Sequence, residues 1–250
     1  MKNAESKNHS NKPKAIILLC SKSSFMEAKY QKIREIVKKE LSNSHHDMEH
    51  VLRVYNLCLR LAGSEPNVDL DVLKTAALLH DIARVKEFQD KTGTVEHASL
   101  GAEMAEGILK KLDYSGEKIS QIQHCIAVHR YRRNREPQTL EAKILFDADK
   151  LDSLGALGVA RAFMMAGDFH QRIYSDVPIE EYLQDNVVGW KGEVGLKDVS
   201  KHTPNLEFEL KFKHIPDRLY TQRAKEIAED RLKFMERFFE KLRLEISGEP

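Results

Sequence analysis

From Phe25 onward, apolar residues return at steps of three and four, with few glycines or prolines to interrupt them. That spacing places them on one face of a 3.6-residue turn, so the sequence predicts helices packed on helices, an all-α bundle. The first helix carries Phe25, Met26, Tyr30, Ile33 and Val37. A second starts at Asp47, a good N-cap, turns Val51, Val54, Tyr55, Cys58 and Leu61 inward, and stops at Gly63. A third starts at Asp69 and runs through Leu73, Ala76, Ala77 and Leu79 to Ala83. A fourth opens at His97 and carries Leu100, Met104, Ile108 and Leu112; Lys110 and Lys111 suit its carbonyl end. A fifth carries Ile119, Ile122, Ile126 and His129. A sixth starts near Thr139 with Leu140, Ile144, Leu145, Ala148 and Leu151, and either runs on or pauses at Ser153–Gly155 before Ala156–Ala166. A final helix spans about Asp217 to Leu244.

Two stretches lack this period. Residues 1–24 read as an N-terminal extension, disordered over its polar first part, whose Ala15–Cys20 run is either a short strand or apolar packing. Residues 167–217, with Gly189–Gly195 and Thr203-Pro204, read as a long irregular excursion over the surface. The remainder, 25–250, is expected to be one domain with its core at about 45–166. A hydrophobic share of 41% excludes a wholly disordered chain. A formal net charge of +1 gives no reason to expect dedicated nucleic-acid binding. The longest early apolar run, Ala15–Cys20, falls far short of the ~20 residues of a membrane helix, so no membrane partner is expected. Three cysteines without a CxxC argue against a disulfide scaffold or zinc knuckle and for a reducing, cytoplasmic setting. No GxGxxG or GxxxxGK[ST] occurs, so the usual nucleotide-binding loops are missing.

The chemistry concentrates at Leu78-Leu79-His80-Asp81-Ile82. A His-Asp pair directly after a buried apolar run is costly unless something pairs with it. That partner is either a neighbouring side chain at a helix end or a divalent metal; imidazole and carboxylate together suit Mn, Fe, Zn, Co or Ni better than Ca. His50 lies one helix earlier, and Asp147-Ala148-Asp149-Lys150-Leu151-Asp152 lies downstream in another apolar helix. A helical wheel favours Asp147 and Asp152 over Asp149 as the inward carboxylates.

The order His, then His-Asp, then a distant Asp on three helices resembles the HD-domain metal-dependent phosphohydrolases. The likeness is to a small bacterial, YedJ-like branch with HDxxHxxRV, ALLHDI and LEAKILxDADxLDxLGA, here His46–Val54, Ala77–Ile82 and Leu140–Ala156. The segment Thr221–Glu240 resembles that branch too, so the likeness spans about residues 30–245. It implies an HD-domain helical bundle and metal ligands at His50, His80, Asp81 and Asp149. It selects Asp149 against the wheel and leaves Asp152 a supporting carboxylate.

The resemblance further implies one divalent ion, Mn first, with Fe, Co, Ni, Mg or Zn as alternatives and a second ion not excluded. Water on such an ion ionises near neutral pH, and the ion polarises a phosphoryl oxygen. The expected activity is hydrolysis of a phosphate monoester or anhydride, with a nucleotide as the phosphorylated small-molecule substrate: a (d)NTP pyrophosphohydrolase or a nucleotide phosphatase. The alternatives are a two-metal phosphodiesterase and a non-catalytic nucleotide-sensing protein. His97, His129 and Arg84 are the catalytic candidates, and Lys150, Arg132 and Arg133 the substrate-binding ones. His124 and the neighbouring Arg130 and Arg135 are weaker candidates, and Arg84 has a rival reading as a partner of Glu87. The His-Asp segment continues Ile82-Ala83-Arg84-Val85, without the carboxylates of alarmone hydrolases or of 5′-nucleotidases, and no GYP follows His129 as in cyclic-dinucleotide diesterases.

Overall fold

In this computed structural model the backbone is described for residues 12–42, 48–130, 135–188 and 195–250, and the side chains from Met26 onward within those ranges. Helix α1 (Lys12–Glu40) begins well before Phe25. Ala15–Cys20 is therefore helix rather than strand; a six-residue apolar run has no period of its own and adopts that of its neighbour. Asp47 and His46 lie outside the described residues, and α2 is Met48–Ala62.

The centre is α3 (Leu70–Leu79), in which Leu73, Ala76, Ala77, Leu78 and Leu79 are all fully buried. An α-helix can be apolar on every side only when others surround it. Here α1, α2, α6 (Gly116–Ala127) and α7 (Leu140–Leu151) do so. Burying each of those leucines contributes about 1.5–3 kcal/mol relative to leaving it in water. Helix α5 (His97–Lys111) packs antiparallel to α6, and α4 (Arg84–Gln89) is a short helix that the apolar period does not announce. N-caps fall where expected: the Asp69 carboxylate accepts from the Asp71 and Val72 amides, and the Thr139 hydroxyl accepts from the Ala142 amide.

The sixth expected helix pauses. Helix α7 stops at Leu151 and α8 (Gly155–Asp168) starts after a tight corner. Two glycines make that corner. Gly155 has φ +77°, and a Cβ on Gly158 would sit 2.1 Å from the Ser153 carbonyl oxygen. The C-terminal helix α11 (Gln222–Ile246) lies on α7 and α8 through Ala224, Ala228 and Met235. It starts later than expected, because Pro216–Arg218 forms a separate 3₁₀ turn.

The excursion is more ordered than its sequence suggests. It contains α9 (Ile179–Asn186), α10 (Pro204–Leu210) and a minimal antiparallel pair, β1 (Val187–Val188) with β2 (Gly195–Leu196), in register Val187↔Leu196. Phe208, Phe212 and Ile215 join the hydrophobic core, and side-chain bonds tie the rest. The Tyr182 hydroxyl lies 2.7 Å from His202 Nδ1, His202 Nε2 lies 2.9 Å from Glu207, and the Asn186 amide donates to Tyr182 Oη and to the Asp198 carbonyl. No helix among the described residues is long and apolar enough to cross a membrane.

Candidate metal centre

Helix ends build the site. The third helix closes at Leu79, so His80 is its C-cap and Asp81 lies in the turn beyond, not inside a helix running to Ala83. Likewise α6 closes at Ala127, and His129 follows it rather than riding on it. In both places the imidazole replaces a lost backbone donor: His80 Nδ1 donates to the Ala77 carbonyl (2.8 Å), and His129 Nδ1 to the Ile126 carbonyl (2.6 Å). A carbonyl can only accept, so both rings carry their proton on Nδ1 when neutral and present an Nε2 lone pair inward. His50 comes from α2, His97 from the first turn of α5 and Asp149 from α7. His50, His80, Asp81, His97 and His129 are all buried.

These groups converge on Asp81. On its Oδ2 side, His50 Nε2 is 3.6 Å away and His80 Nε2 is 3.9 Å away. The two ring nitrogens are 3.3 Å apart, and Asp149 Oδ1 lies 3.4 Å from His50 Nε2. On its Oδ1 side, His97 Nε2 is at 3.2 Å and His129 Nε2 at 3.5 Å, with 3.2 Å between the two rings. Two groups thus share one carboxylate: His50–His80–Asp81 and Asp81–His97–His129, each with its donor atoms within 4.8 Å of one another. Lone pairs facing lone pairs in a buried space require a cation or a proton between them, and nitrogen with carboxylate oxygen is a donor set for a divalent transition metal.

Each group has one ring anchored by a carbonyl and one by a carboxylate. His50 Nδ1 donates to Asp152 Oδ2 at 2.8 Å, and His97 Nδ1 to Glu87 Oε2 at 2.7 Å. Such outer carboxylates fix the tautomer and aim Nε2 at the ligand position. Asp152 is itself held by Arg53 Nε (2.9 Å) and Arg161 Nη1 (3.0 Å).

The protonation pattern follows. Burial opposes charge on His50, but hydrogen bonds to Asp149 and Asp152 outweigh it and lift its pKa to about 9. His80, equally buried but without such a bond, is pushed down to about 4. Burial keeps His97 low as well. Asp149 stays well below the usual carboxylate range because Lys150 and His50 overcome its burial. Without a metal, a proton on His50 is the cation that holds the first group together.

The HD domain family matches residues 47–154. YpgQ of Bacillus subtilis is 29% identical over 224 residues, 87% of this chain and 94% of YpgQ. Its crystal structure in complex with ADP superposes with a TM-score of 0.63 at 28% identity, covering 87% of this chain and 95% of that one. An HD-superfamily hydrolase from Bacillus thuringiensis gives 0.66 at 26% identity, over 89% of this chain and 98% of that one. Residues 47–154 are thus an HD domain, and over most of its length the chain is similar to YpgQ and to other HD-superfamily hydrolases. A second type of relative is the 3'-5' exoribonuclease YhaM of Halalkalibacterium halodurans, 27% identical over 150 residues. That stretch is 53% of this chain and 47% of YhaM, so the chain spans about half of that enzyme's length.

Within this HD domain the aspartates of α7 separate cleanly. Asp147, which the helical wheel favours, faces away from the histidines. Its carboxylate accepts from the Tyr220 and Thr221 amides and the Thr221 hydroxyl, at 2.7–2.9 Å, and so fastens α7 to the start of α11. Asp149 faces His50, and Asp152 supports it. Lys150 Nζ sits 2.7 Å from Asp149 Oδ2 at the rim. Arg84 pairs with Glu87 at 2.8 Å, the rival reading of that residue, yet the pair also abuts His97.

Arg132 and Arg133 lie outside the described residues. The arginines around them divide: Arg130 reaches Glu87, whereas Arg135 bonds Glu96 and Ser99. His124 accepts the Gln138 amide and is no part of the site. Sequence reasoning passed over Arg53 and Arg161, and it saw Glu87 only as a partner for Arg84. Arg53 was visible as the Arg of HDxxHxxRV; nothing local marks Arg161.

Proposed function

We propose that this HD-domain protein is a metal-dependent hydrolase of phosphate monoesters or anhydrides, acting on nucleotides. The convergence of His50, His80 and Asp81 on one buried point beside Asp149 carries the reading. These four residues would hold one divalent ion, Mn first among the candidates. When bound, such an ion supplies Lewis acidity toward a phosphoryl oxygen and toward water. The chain's own residues do the rest. Asp152 and the Ala77 carbonyl orient the two rings. Lys150 brings positive charge to the rim, as do Arg84 and Arg130. His97 and His129 stand on the far side of Asp81, within reach of a substrate oxygen or leaving group. The ADP bound to YpgQ supports the nucleotide.

A second reading, a two-metal phosphodiesterase, is favoured by the Asp81–His97–His129 group, which could hold its own ion. The YhaM relatives act on RNA, which is in keeping with it. Release of phosphate or pyrophosphate across a panel of nucleotides with Mn²⁺ tests both. Pyrophosphate from triphosphates or phosphate from monophosphates supports the first reading. Cleavage confined to diesters supports the second. A metal-loaded protein that binds nucleotide and releases nothing overturns both in favour of a sensing role.

Metal affinity should depend on pH. Binding at His50 Nε2 displaces the proton there, which faces Asp149 while Asp152 holds the ring through Nδ1, so below about 9 the proton competes. Each unit of acidification then weakens binding about tenfold, or about a hundredfold between about pH 8 and pH 6. Calorimetric titration of Mn²⁺ into the metal-free protein over that range checks the slope, and a flat profile shows that His50 holds no such proton.

A further inference from the structure

Asp152, which anchors His50, is gripped by arginines from two helices. Its Oδ1 accepts from Arg53 Nε at 2.9 Å; its Oδ2 accepts from His50 Nδ1 at 2.8 Å, Arg161 Nη1 at 3.0 Å and Arg53 Nη2 at 3.2 Å. The carboxylate is 1% exposed, so water is not at hand to replace a lost partner. One guanidinium already neutralises one carboxylate, so charge balance does not call for the second arginine. What it adds is direction. Arg53 stands one turn after His50 on α2, and its fork ties Asp152 back to the helix that carries the ring. Arg161 comes from α8 and adds a bond from a third helix. The corner between α7 and α8 aims it. Gly158 packs so closely on the Ser153 carbonyl that a Cβ there would lie 2.1 Å from the oxygen, and Arg161 follows one turn later. Arg161 lies beyond residues 47–154, the part of the chain that matches the HD domain.

We propose that Arg161 is a positioning residue of the metal centre: through Asp152 it holds His50 where it can ligate the ion. This rests on the metal-dependent reading and adds that α8, outside the HD match, completes the centre. The chain of contacts is short and continuous. It runs from Arg161 Nη1 to Asp152 Oδ2, from there to His50 Nδ1, and across the ring to Nε2, which faces Asp81 and Asp149. An imidazole is rigid, so a carboxylate that shifts at Nδ1 swings Nε2 at the other end of the ring. With Arg53 alone, Asp152 is braced only by α2 and by its own helix α7, and it can follow any movement of α2. Arg161 ties the pair to α8, which is itself packed on α11. The rival role for Arg161 is a plain fastening of α8 to α7, which would serve stability and leave the ion unaffected.

Titration of Mn²⁺ into the metal-free full chain, well below the melting temperature of every variant, decides between the two. Arg161→Ala should bind Mn²⁺ about tenfold more weakly than wild type, the low end of what losing an outer partner of a metal-ligating histidine costs. Arg161→Lys, which returns a donor to Oδ2 as a point charge, should recover most of that loss. The Co²⁺-loaded Arg161→Ala protein should show shifted visible bands, because the His50 ring sits differently. Met164→Ala, an exposed change on the same helix, should show none. Asp152→Ala should weaken binding at least as much as Arg161→Ala. Adding Arg161→Ala to it should cost no more than about twofold further, because a residue that acts through Asp152 then has nothing left to act on. If Asp152→Ala does not fold, the Ala and Lys variants at position 161 carry the test. Mn²⁺ affinity within about twofold of wild type in Arg161→Ala, equal losses in Arg161→Ala and Arg161→Lys, or full additivity with Asp152→Ala overturns the proposal. Should wild type bind no divalent ion, the metal-dependent reading fails on its own. The downfield Nδ1 proton signal of His50 in the metal-free protein then reports on Arg161: it should move in Arg161→Ala, and an unmoved signal overturns the proposal.

Discussion

Replacing Asp81 by alanine should leave a folded protein that holds almost no metal and has lost hydrolysis by at least about 10²–10³-fold, the scale of removing one strong electrostatic stabiliser. Its two oxygens serve both donor groups, with His50 and His80 on one side and His97 and His129 on the other. Without it the four imidazoles lose the one carboxylate that both groups share. His97→Ala offers the contrast, because it touches only the second group. Elemental analysis of both variants after Mn²⁺ loading and desalting makes the comparison. Full occupancy in Asp81→Ala would show that the metal is held elsewhere. Loss of all metal in His97→Ala would show that the two groups are one indivisible site.

The second large effect is a divergence between two aspartates on one helix. Asp149→Asn should lose metal and activity with little change in stability, because its carboxylate faces His50 and Lys150 at the site. Asp147→Asn should keep its metal and lose stability. Its carboxylate accepts three bonds from the Tyr220–Thr221 segment, and weakening a charge-assisted cluster of that kind costs about 2–3 kcal/mol. In a chain of this size that lowers Tm by roughly 5–10 °C. Metal content and thermal unfolding of the two variants decide it; metal lost in Asp147→Asn and kept in Asp149→Asn would put the ligand two residues earlier.

These aspartates also mark where local patterning stops. A helical wheel records distance from an apolar stripe and assumes that a buried face points one way. Helix α7 is covered on two sides: α2 and the end of α3 bring His50 and His80, and the turn leading into α11 brings the amides of Tyr220 and Thr221. Both sides take an aspartate, so the wheel ranks Asp147 above Asp149, and the family pattern selects the other. A similar blindness concerns His80 and His129. Their apolar neighbours continue the helical period, but each ring caps its own helix by bonding the carbonyl three residues back. The periodicity has no way to register that bond.

What the sequence by itself determined is the set of helices with their inward faces, the capping residues Asp69 and Thr139, and the order in which His50, His80-Asp81 and Asp149 are supplied. These follow from spacing and short-range bonding, which act within a few residues along the chain. Only the tertiary structure decided which carboxylate stands behind which histidine, with Asp152 for His50 and Glu87 for His97. It also decided that a single Asp81 is shared by two donor groups, and that bonds among Tyr182, Asn186, His202 and Glu207 order the excursion. The two histidine–carboxylate pairings join residues 10 and 102 positions apart, and no local propensity encodes them. They form because a buried polar atom must find a partner wherever packing has placed one.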